Sequence, residues 1–584
     1  MINFAMFMDK LSVIFMNLKK NPVKTAIVIA FVSILFSIIV IVPFAVRTFH
    51  FIYQPVKLLT NFNNNELNEK FIEEYNPPIQ TKFDVLHYDI HVELIPDSKM
   101  IKGTVVIRFT TNNLNAKEID INFYDNMNIK NAFLNDKIVD YVREETIVKF
   151  LPKEILKDTS ELKIIYEGEP KRLGFGSFCF ENVNGQNFVY TISEPFYAST
   201  WFPCIDKPDD KALADIFITN DSSYVSLSNG KLIEIISDKS KKTYHWKTYY
   251  PISTYLIALY SAKYKTYNEK YISITNDTLN IYYYALEDKF NDAVQDFSDH
   301  PRYIKTFEKI FGPYPFIKEK YAVAEFLWQS GAMEHQTITG VGSRFITGKK
   351  FFQDMLIHEL SHHWWGNAVS PKTWKDIWLN EGFATYSEAL YWEYQAGKSA
   401  LKSTMSAKTG MFLRGTLYNP KDNLFSSLIY NKGAWVLHML RREVGDSSFF
   451  RILRTYFEKF KYKNASTQDF QEICEKVTGR NLKFFFDQWV YKGTGKIEAE
   501  YNWNIIPLNN SYKVIFNIKQ LQNGYDIYKF PVDIKIFFEN NESEIKSFYV
   551  DSRESSFEFV TKNKPVSFEL DPDKWLLANF NLSE

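Results

Sequence analysis

The segment His358-Glu359-Leu360-Ser361-His362 constrains this chain more than any other. On a helix, residues four apart sit one turn above the other on a single face, so both imidazoles can grip one ion. The flanks are apolar, Met355-Leu356-Ile357 before and Trp364-Trp365 after, which predicts a buried helix over about 351–365. Ionisable side chains are seldom buried without partners or a metal. Eighteen residues separate His362 from Glu381, which stands in a second apolar segment, Ile377 to Tyr386. Glu381 is the natural third ligand, carried by a second helix over about 379–395. Three protein ligands leave one position of a zinc ion open for water, and that makes a site catalytic rather than structural. Glu359 points to the neighbouring flank, beside the metal and placed to accept a proton from water attacking a carbonyl. The expectation is one Zn2+ per chain, held by His358, His362 and Glu381, with Glu359 as base. Thr385, one turn beyond Glu381 on the same face, is a candidate to support it.

Other segments extend the pattern. Gly331-Ala332-Met333-Glu334-His335 precedes the histidines, Ser193-Glu194-Pro195-Phe196-Tyr197 and Trp201-Phe202-Pro203-Cys204 lie farther upstream, and Tyr430-Asn431-Lys432-Gly433-Ala434 lies downstream. Together with His-Glu-Leu-Ser-His-His-Trp-Trp-Gly-Asn and Trp-Leu-Asn-Glu-Gly-Phe-Ala, they resemble the M1 family of gluzincin aminopeptidases, in family order from about Phe83 to about Tyr491. The resemblance implies an N-terminal β domain followed by a thermolysin-like, mostly helical catalytic domain. It makes Gly331, Ala332, Met333 and Glu334 the exopeptidase segment, whose glutamate holds the substrate's free amino terminus. Glu194 becomes a second amine contact and Tyr430 the stabiliser of the tetrahedral intermediate. An extended strand ending in Glu334 can also pair with a substrate backbone while its carboxylate attracts an ammonium. Two positions depart from the family pattern: His335 replaces the usual Asn, and Ile192 stands where Gln is common. The largest family members continue into a helical-repeat domain that roofs the site; here about ninety residues follow Trp489 and read as strands, so a closed chamber is not expected.

The amino terminus carries a different signal. Thr25 to Val46 is a run of twenty-two uncharged, mostly apolar residues, long enough to span a hydrocarbon core of ~30 Å at about 1.5 Å per residue. Lys10, Lys19, Lys20 and Lys24 precede it, whereas Arg47 and Lys57 alone follow closely. The positive-inside rule puts the amino terminus in the cytoplasm and the remainder outside. The run exceeds a usual signal-peptide core and no small-residue cleavage site follows, which favours a retained single-pass anchor. The chain accordingly divides into a cytoplasmic segment (1–24), a transmembrane helix (25–46), an Asn-rich stalk (47–80), an antiparallel β domain (81–262), the catalytic domain (263–492) and a C-terminal β-sandwich (493–584). Period-2 alternation marks the two β regions, as in Phe83 to Leu94 and Val532 to Phe538. Residues 263–492 read as mainly helical, beginning with a helix at about 296–310.

Composition excludes more than it proposes. Lys+Arg and Asp+Glu both number 69, so no charge imbalance recommends a nucleic acid. Cys179, Cys204 and Cys474 are too few and scattered for a disulfide framework or a zinc cluster. His87, His91 and His245 lie on separate strands and are not expected as ligands, and His363 and His438 read as packing or supporting histidines. The fold class is therefore α+β and multidomain. The function expected is a membrane-anchored zinc metallo-aminopeptidase acting on peptides with a free amino terminus. The rivals are an endopeptidase or epoxide hydrolase on the same scaffold, and a binding ectodomain that has lost catalysis.

Overall fold

The computed structural model describes residue 80 and residues 82–583, apart from 411, 413, 414, 422 and 423. The transmembrane helix expected at 25–46, and the stalk expected at 47–80 except for its last residue, lie outside the described residues. Among those described, no helix is long and apolar enough to cross a membrane.

An eight-stranded sheet opens the described chain. Its order is Lys231–Asp238, Lys241–Lys247, Leu213–Asp221, Phe83–Ile95, Met100–Thr111, Thr159–Gly168, Met127–Leu134 and Lys137–Ile138. Phe83–Ile95 alternates buried and open positions along most of its length, the signature of a strand with one face in a core. It pairs antiparallel with Met100–Thr111 and parallel with Leu213–Asp221. A four-stranded sheet follows, with the order Val225–Leu227, Tyr260–Ala262, Gln186–Ile192 and Ser177–Val183. Gln186–Ile192 is buried over its last five residues and delivers Ser193 and Glu194 at its end.

The catalytic region begins with strands, not with a helix. Lys265–Ile272 and Thr278–Ala285 form a hairpin that starts a five-stranded mixed sheet, continued by Tyr321–Phe326, Thr339–Gly342 and, at the edge, Ala332–Met333. Leu279, Ile281 and Tyr283 point into the core, so the second strand does carry a period-2 pattern. The helix expected over 296–310 is two helices, Phe290–Phe297 and His300–Phe311, the second opening with Pro301 in its first turn, where a missing N–H costs nothing. The histidine helix is shorter than expected, Gln353–Ser361, with His362 as its C-cap. Against it packs Trp378–Ala396, whose first fourteen residues are all buried. A π-helical turn, Leu428–Lys432, runs into the helix Gly433–Val444, and Asp446–Phe460 and Thr467–Thr478 follow.

Two sheets close the chain. One orders Glu554–Thr561, Ser511–Gln520, Ile497–Leu508 and Ala578–Leu582; the other orders Ser543–Val550, Phe530–Phe538 and Pro565–Leu570. Phe568 of the second sheet meets Trp503 and Phe516 of the first at ring distances of 4.9 and 5.3 Å, which places an aromatic core between them.

Candidate metal centre and active site

His358 and His362 leave the same face of the Gln353–Ser361 helix with their rings 4.7 Å apart. Their Nε2 atoms are separated by 3.1 Å. Glu381, in the first turn of Trp378–Ala396, brings Oε2 to 3.2 Å from His358 Nε2 and 3.4 Å from His362 Nε2. The outer nitrogens are already committed: His358 donates Nδ1–H to Glu388 Oε1 at 3.0 Å, and His362 donates Nδ1–H to the Trp365 carbonyl at 2.9 Å. Both Nε2 atoms therefore converge with a carboxylate oxygen, an arrangement that a proton or a metal ion between them relieves. Zinc bonds of about 2.0–2.1 Å in a tetrahedron require neighbouring ligand atoms roughly 3.3–3.4 Å apart, and this triangle matches. Burial alone would lower the affinity of both histidines for a proton. Hydrogen bonds to Glu381 and Glu388 instead raise His358 to about 10, and Glu334 with Glu381 raise His362 to about 9. Against its own burial, Glu381 is held at about 2 by His362 and His358. The field that captures protons at Nε2 is the field that would hold a metal.

Three more carboxylates close around this triangle. Glu359, Glu334 and His362 have ligand atoms within 4.8 Å of one another, and so do Glu194, Glu334 and Glu381. Burial, reinforced by Glu334 and Glu381, pushes Glu359 up to about 8. Burial also raises Glu194 and Glu334, with neighbouring carboxylates adding to the effect. One oxygen each of Glu194, Glu334 and Glu359 is buried with no hydrogen-bond partner among the described residues. Such oxygens are expensive to desolvate unless a donor or cation arrives.

The scaffold explains how these groups meet. Ala332–Met333 pairs antiparallel with Val341 and Gly340, which leaves its other edge unpaired in the sheet order. Gly331 and Ala332 are half-buried and Met333 is buried. The Gly342 amide donates to the Gly331 carbonyl at 3.0 Å, and Asn367 Nδ2 donates to the Glu334 carbonyl at 2.7 Å. The Thr337 amide donates to His363 Nε2 at 3.0 Å, joining the segment after Glu334 to the residue beside a metal ligand. Tyr430 sits in the π-helical turn, a form that recurs at functional sites, with its ring stacked 5.8 Å from that of His358. Its hydroxyl is raised by burial and then by Glu381, Glu194 and Glu334, so it stays protonated and able to donate. The chain reaches this geometry through a glycine pair: a Cβ on Gly382 would come 2.9 Å from Gly433 Cα, so the helix of Glu381 and the turn of Tyr430 touch backbone to backbone.

Sequence reasoning missed Glu388, Asn367 and Tyr255. Glu388 follows Glu381 by seven residues, two turns on the same face, and that spacing was the available signal. It, and not Thr385, supports His358; the Thr385 hydroxyl is buried without a partner among the described residues. Tyr255 accepts from Asn380 Nδ2 at 3.3 Å and lies near Glu194, Glu334 and Glu381; nothing in its local sequence marks it. His438 packs in place, with Nδ1 3.1 Å from the Tyr386 hydroxyl and its ring stacked on Trp575.

Comparison with known proteins converges on one family. The profile "Peptidase M1 N-terminal domain" matches residues 85–256 and "Peptidase family M1 domain" matches residues 296–489. Among relatives, "Aminopeptidase 2, mitochondrial" of Saccharomyces cerevisiae is 27% identical over 473 residues, covering 71% of this chain and 48% of the relative. "Endoplasmic reticulum aminopeptidase 1" of Mus musculus is 30% identical over 323 residues, covering 51% and 34%. The crystal structure of Legionella pneumophila aminopeptidase A shares the fold with a TM-score of 0.76 at 19% identity, covering 88% of this chain and 61% of that one. An M1 zinc metallopeptidase of Deinococcus radiodurans does so at 0.61 and 24%, covering 70% and 93%. This chain belongs to peptidase family M1. Zinc is the metal named for the Deinococcus radiodurans structure, and the three donor atoms here fit it. The chain spans about half the length of the curated relatives it matches.

Proposed function

We propose that this protein is a zinc aminopeptidase, removing residues from the amino termini of peptides, and that it works outside the cytoplasm on a membrane anchor formed by residues 25–46. The observation that carries the catalytic part is the convergence of His358, His362 and Glu381 beside two buried carboxylates, Glu334 and Glu194, each with one oxygen that has no hydrogen-bond partner among the described residues. A zinc ion held by the triad would supply Lewis acidity toward a substrate carbonyl and lower the pKa of water. Glu359, buried on the adjacent flank, takes the proton of the attacking water and passes it to the leaving amine. Tyr430 donates its hydroxyl to the oxygen that becomes negative as the carbonyl carbon turns tetrahedral. Glu334 and Glu194 accept hydrogen bonds from the substrate ammonium, and the free edge at Ala332–Met333 pairs with the substrate backbone. The amine contacts set the cleavage point one residue from the terminus. Lys10, Lys19, Lys20 and Lys24 before the apolar run favour the orientation, with the amino terminus inside.

Peptide amides with free and N-acetylated termini test the exopeptidase reading. Charge-assisted bonds contribute about 1.5–3 kcal/mol each, so acetylation should lower kcat/KM by at least ~10²-fold. Equal cleavage of the two would sink it and promote the endopeptidase reading. For the location, protease added to intact cells should digest the catalytic region; full protection would reverse the orientation.

A further inference from the structure

His335 directly follows Glu334, is fully buried, and places Nδ1 2.6 Å from the Tyr260 hydroxyl. Its other nitrogen, Nε2, is buried with no partner among the described residues. The bond to Tyr260 is therefore the one side-chain hydrogen bond the described residues show for this imidazole. Tyr260 belongs to the strand Tyr260–Ala262, which pairs with Gln186–Ile192 through Tyr190 and Val189. One residue earlier, the Leu259 amide donates to Thr191 Oγ1 at 2.9 Å. Tyr260 is thus fastened to the strand that ends at Ile192, two residues before Glu194, whereas His335 directly follows Glu334. The sheet leaves room for the contact at one point: a Cβ on Gly340, the residue paired with Met333, would stand 2.6 Å from the Tyr260 hydroxyl.

We propose that Tyr260 and His335 are a positioning pair that sets the spacing of Glu194 and Glu334, and through it the protein's selectivity for an ammonium group. The inference rests on the aminopeptidase reading above. The two carboxylates reach the site from different sheets, 140 positions apart in the chain, and their oxygens must both lie within hydrogen-bond reach of one nitrogen. Backbone pairing holds each within its own sheet, and the Tyr260–His335 bond spans the two. Burial keeps His335 uncharged, down to about 3, so the pair adds no third charge beside the ammonium. It fixes distance alone.

The test uses calorimetric binding of L-leucinamide and of 4-methylpentanamide, which lacks only the amino group, to the full zinc-loaded protein with Glu359→Gln as the common background, so that neither amide is hydrolysed during the titration. In that reference protein the amine should strengthen binding by at least ~10²-fold. Tyr260→Phe, which deletes a single oxygen, should cut that ratio by about ten-fold while affinity for 4-methylpentanamide and zinc content hold. His335→Phe should do the same, and His335→Gln, which keeps a polar atom within reach of the hydroxyl, should restore most of the ratio. A ratio preserved in Tyr260→Phe and His335→Phe overturns the proposal. So does an equal weakening of both ligands, which is what a merely structural role predicts. A Tyr260→Phe protein that fails to fold leaves the decision to the two His335 variants. If the reference protein binds both amides alike, the aminopeptidase reading itself fails and this inference falls with it.

Discussion

On the eight-stranded sheet, His87 and His245 bond opposite oxygens of Asp215 at 2.9 and 2.6 Å, and Lys247 joins at 2.9 Å. In the catalytic region, His358 and His362 face Glu381 at 3.2 and 3.4 Å. Both places hold two histidines and a carboxylate, yet their physics differ. Around Asp215 the imidazoles bracket the carboxylate, and Lys247 balances its charge. Against partial burial, bonds from His245, Lys247 and His87 hold Asp215 below its usual range. His245 and His91 also stack on either side of Phe217, at 4.0 and 4.1 Å. At Glu381 the two Nε2 atoms face each other at 3.1 Å, and their outer nitrogens are taken by Glu388 and Trp365. What makes a metal site is the direction of the lone pairs and the occupation of the second nitrogen, not the inventory of residues.

That contrast can be broken experimentally. If holding the metal and using it are separate tasks, Glu359→Gln should retain full zinc while kcat falls by about 10³-fold, since an amide cannot accept the water proton. Loss of zinc, or turnover like that of the unmodified protein, would merge the two tasks. A smaller effect is expected at Glu388→Gln, where weakening the acceptor that orients His358 should cost about 10- to 100-fold in zinc affinity, read by chelator competition. Unchanged affinity would mean that the imidazole needs no such guide. The smallest effect belongs to the other cluster: His245→Ala should leave zinc stoichiometry intact and change denaturant stability by less than about 1 kcal/mol. Any loss of bound zinc there would overturn the distinction.

How much of this the chain disclosed depends on the length scale of each feature. His358 and His362 lie one turn apart on one helix, so helical periodicity aligns them, whereas Glu381 comes from the next helix and joins them through the packing of the two. Phe83–Ile95 matches within one residue the strand its alternation predicts. Lys265–Ile272 escaped notice because it is exposed at nearly every position, and an exposed edge strand carries no hydropathy period. The meeting of Glu194 with Glu334 depends on how two sheets dock, which no local pattern encodes; only resemblance to a family pointed there. The meeting of Tyr260 with His335 depends on the same docking, and nothing in the sequence pointed to it. Glu388 was legible by spacing, but the shorter step to Thr385 drew attention first. The π-helical turn at Tyr430 widens the helix by one residue, a change too small to leave a signature in hydropathy.

The contact of Gly382 with Gly433 has a consequence for how this protein could change. Alanine is the better helix former by about 1 kcal/mol in a helix interior, and Gly382 lies inside the helix Trp378–Ala396. By propensity alone, Gly382→Ala would make the protein harder to melt. The added methyl would meet the Gly433 backbone at 2.9 Å, and the two segments would have to part, carrying Glu381 and Tyr430 with them. A displacement of about 1 Å at a reacting centre can slow a reaction by ~10²-fold. Parting two packed backbones costs about 1–3 kcal/mol, more than the propensity gain, so heat resistance and reaction rate point the same way here and both hold this position at glycine.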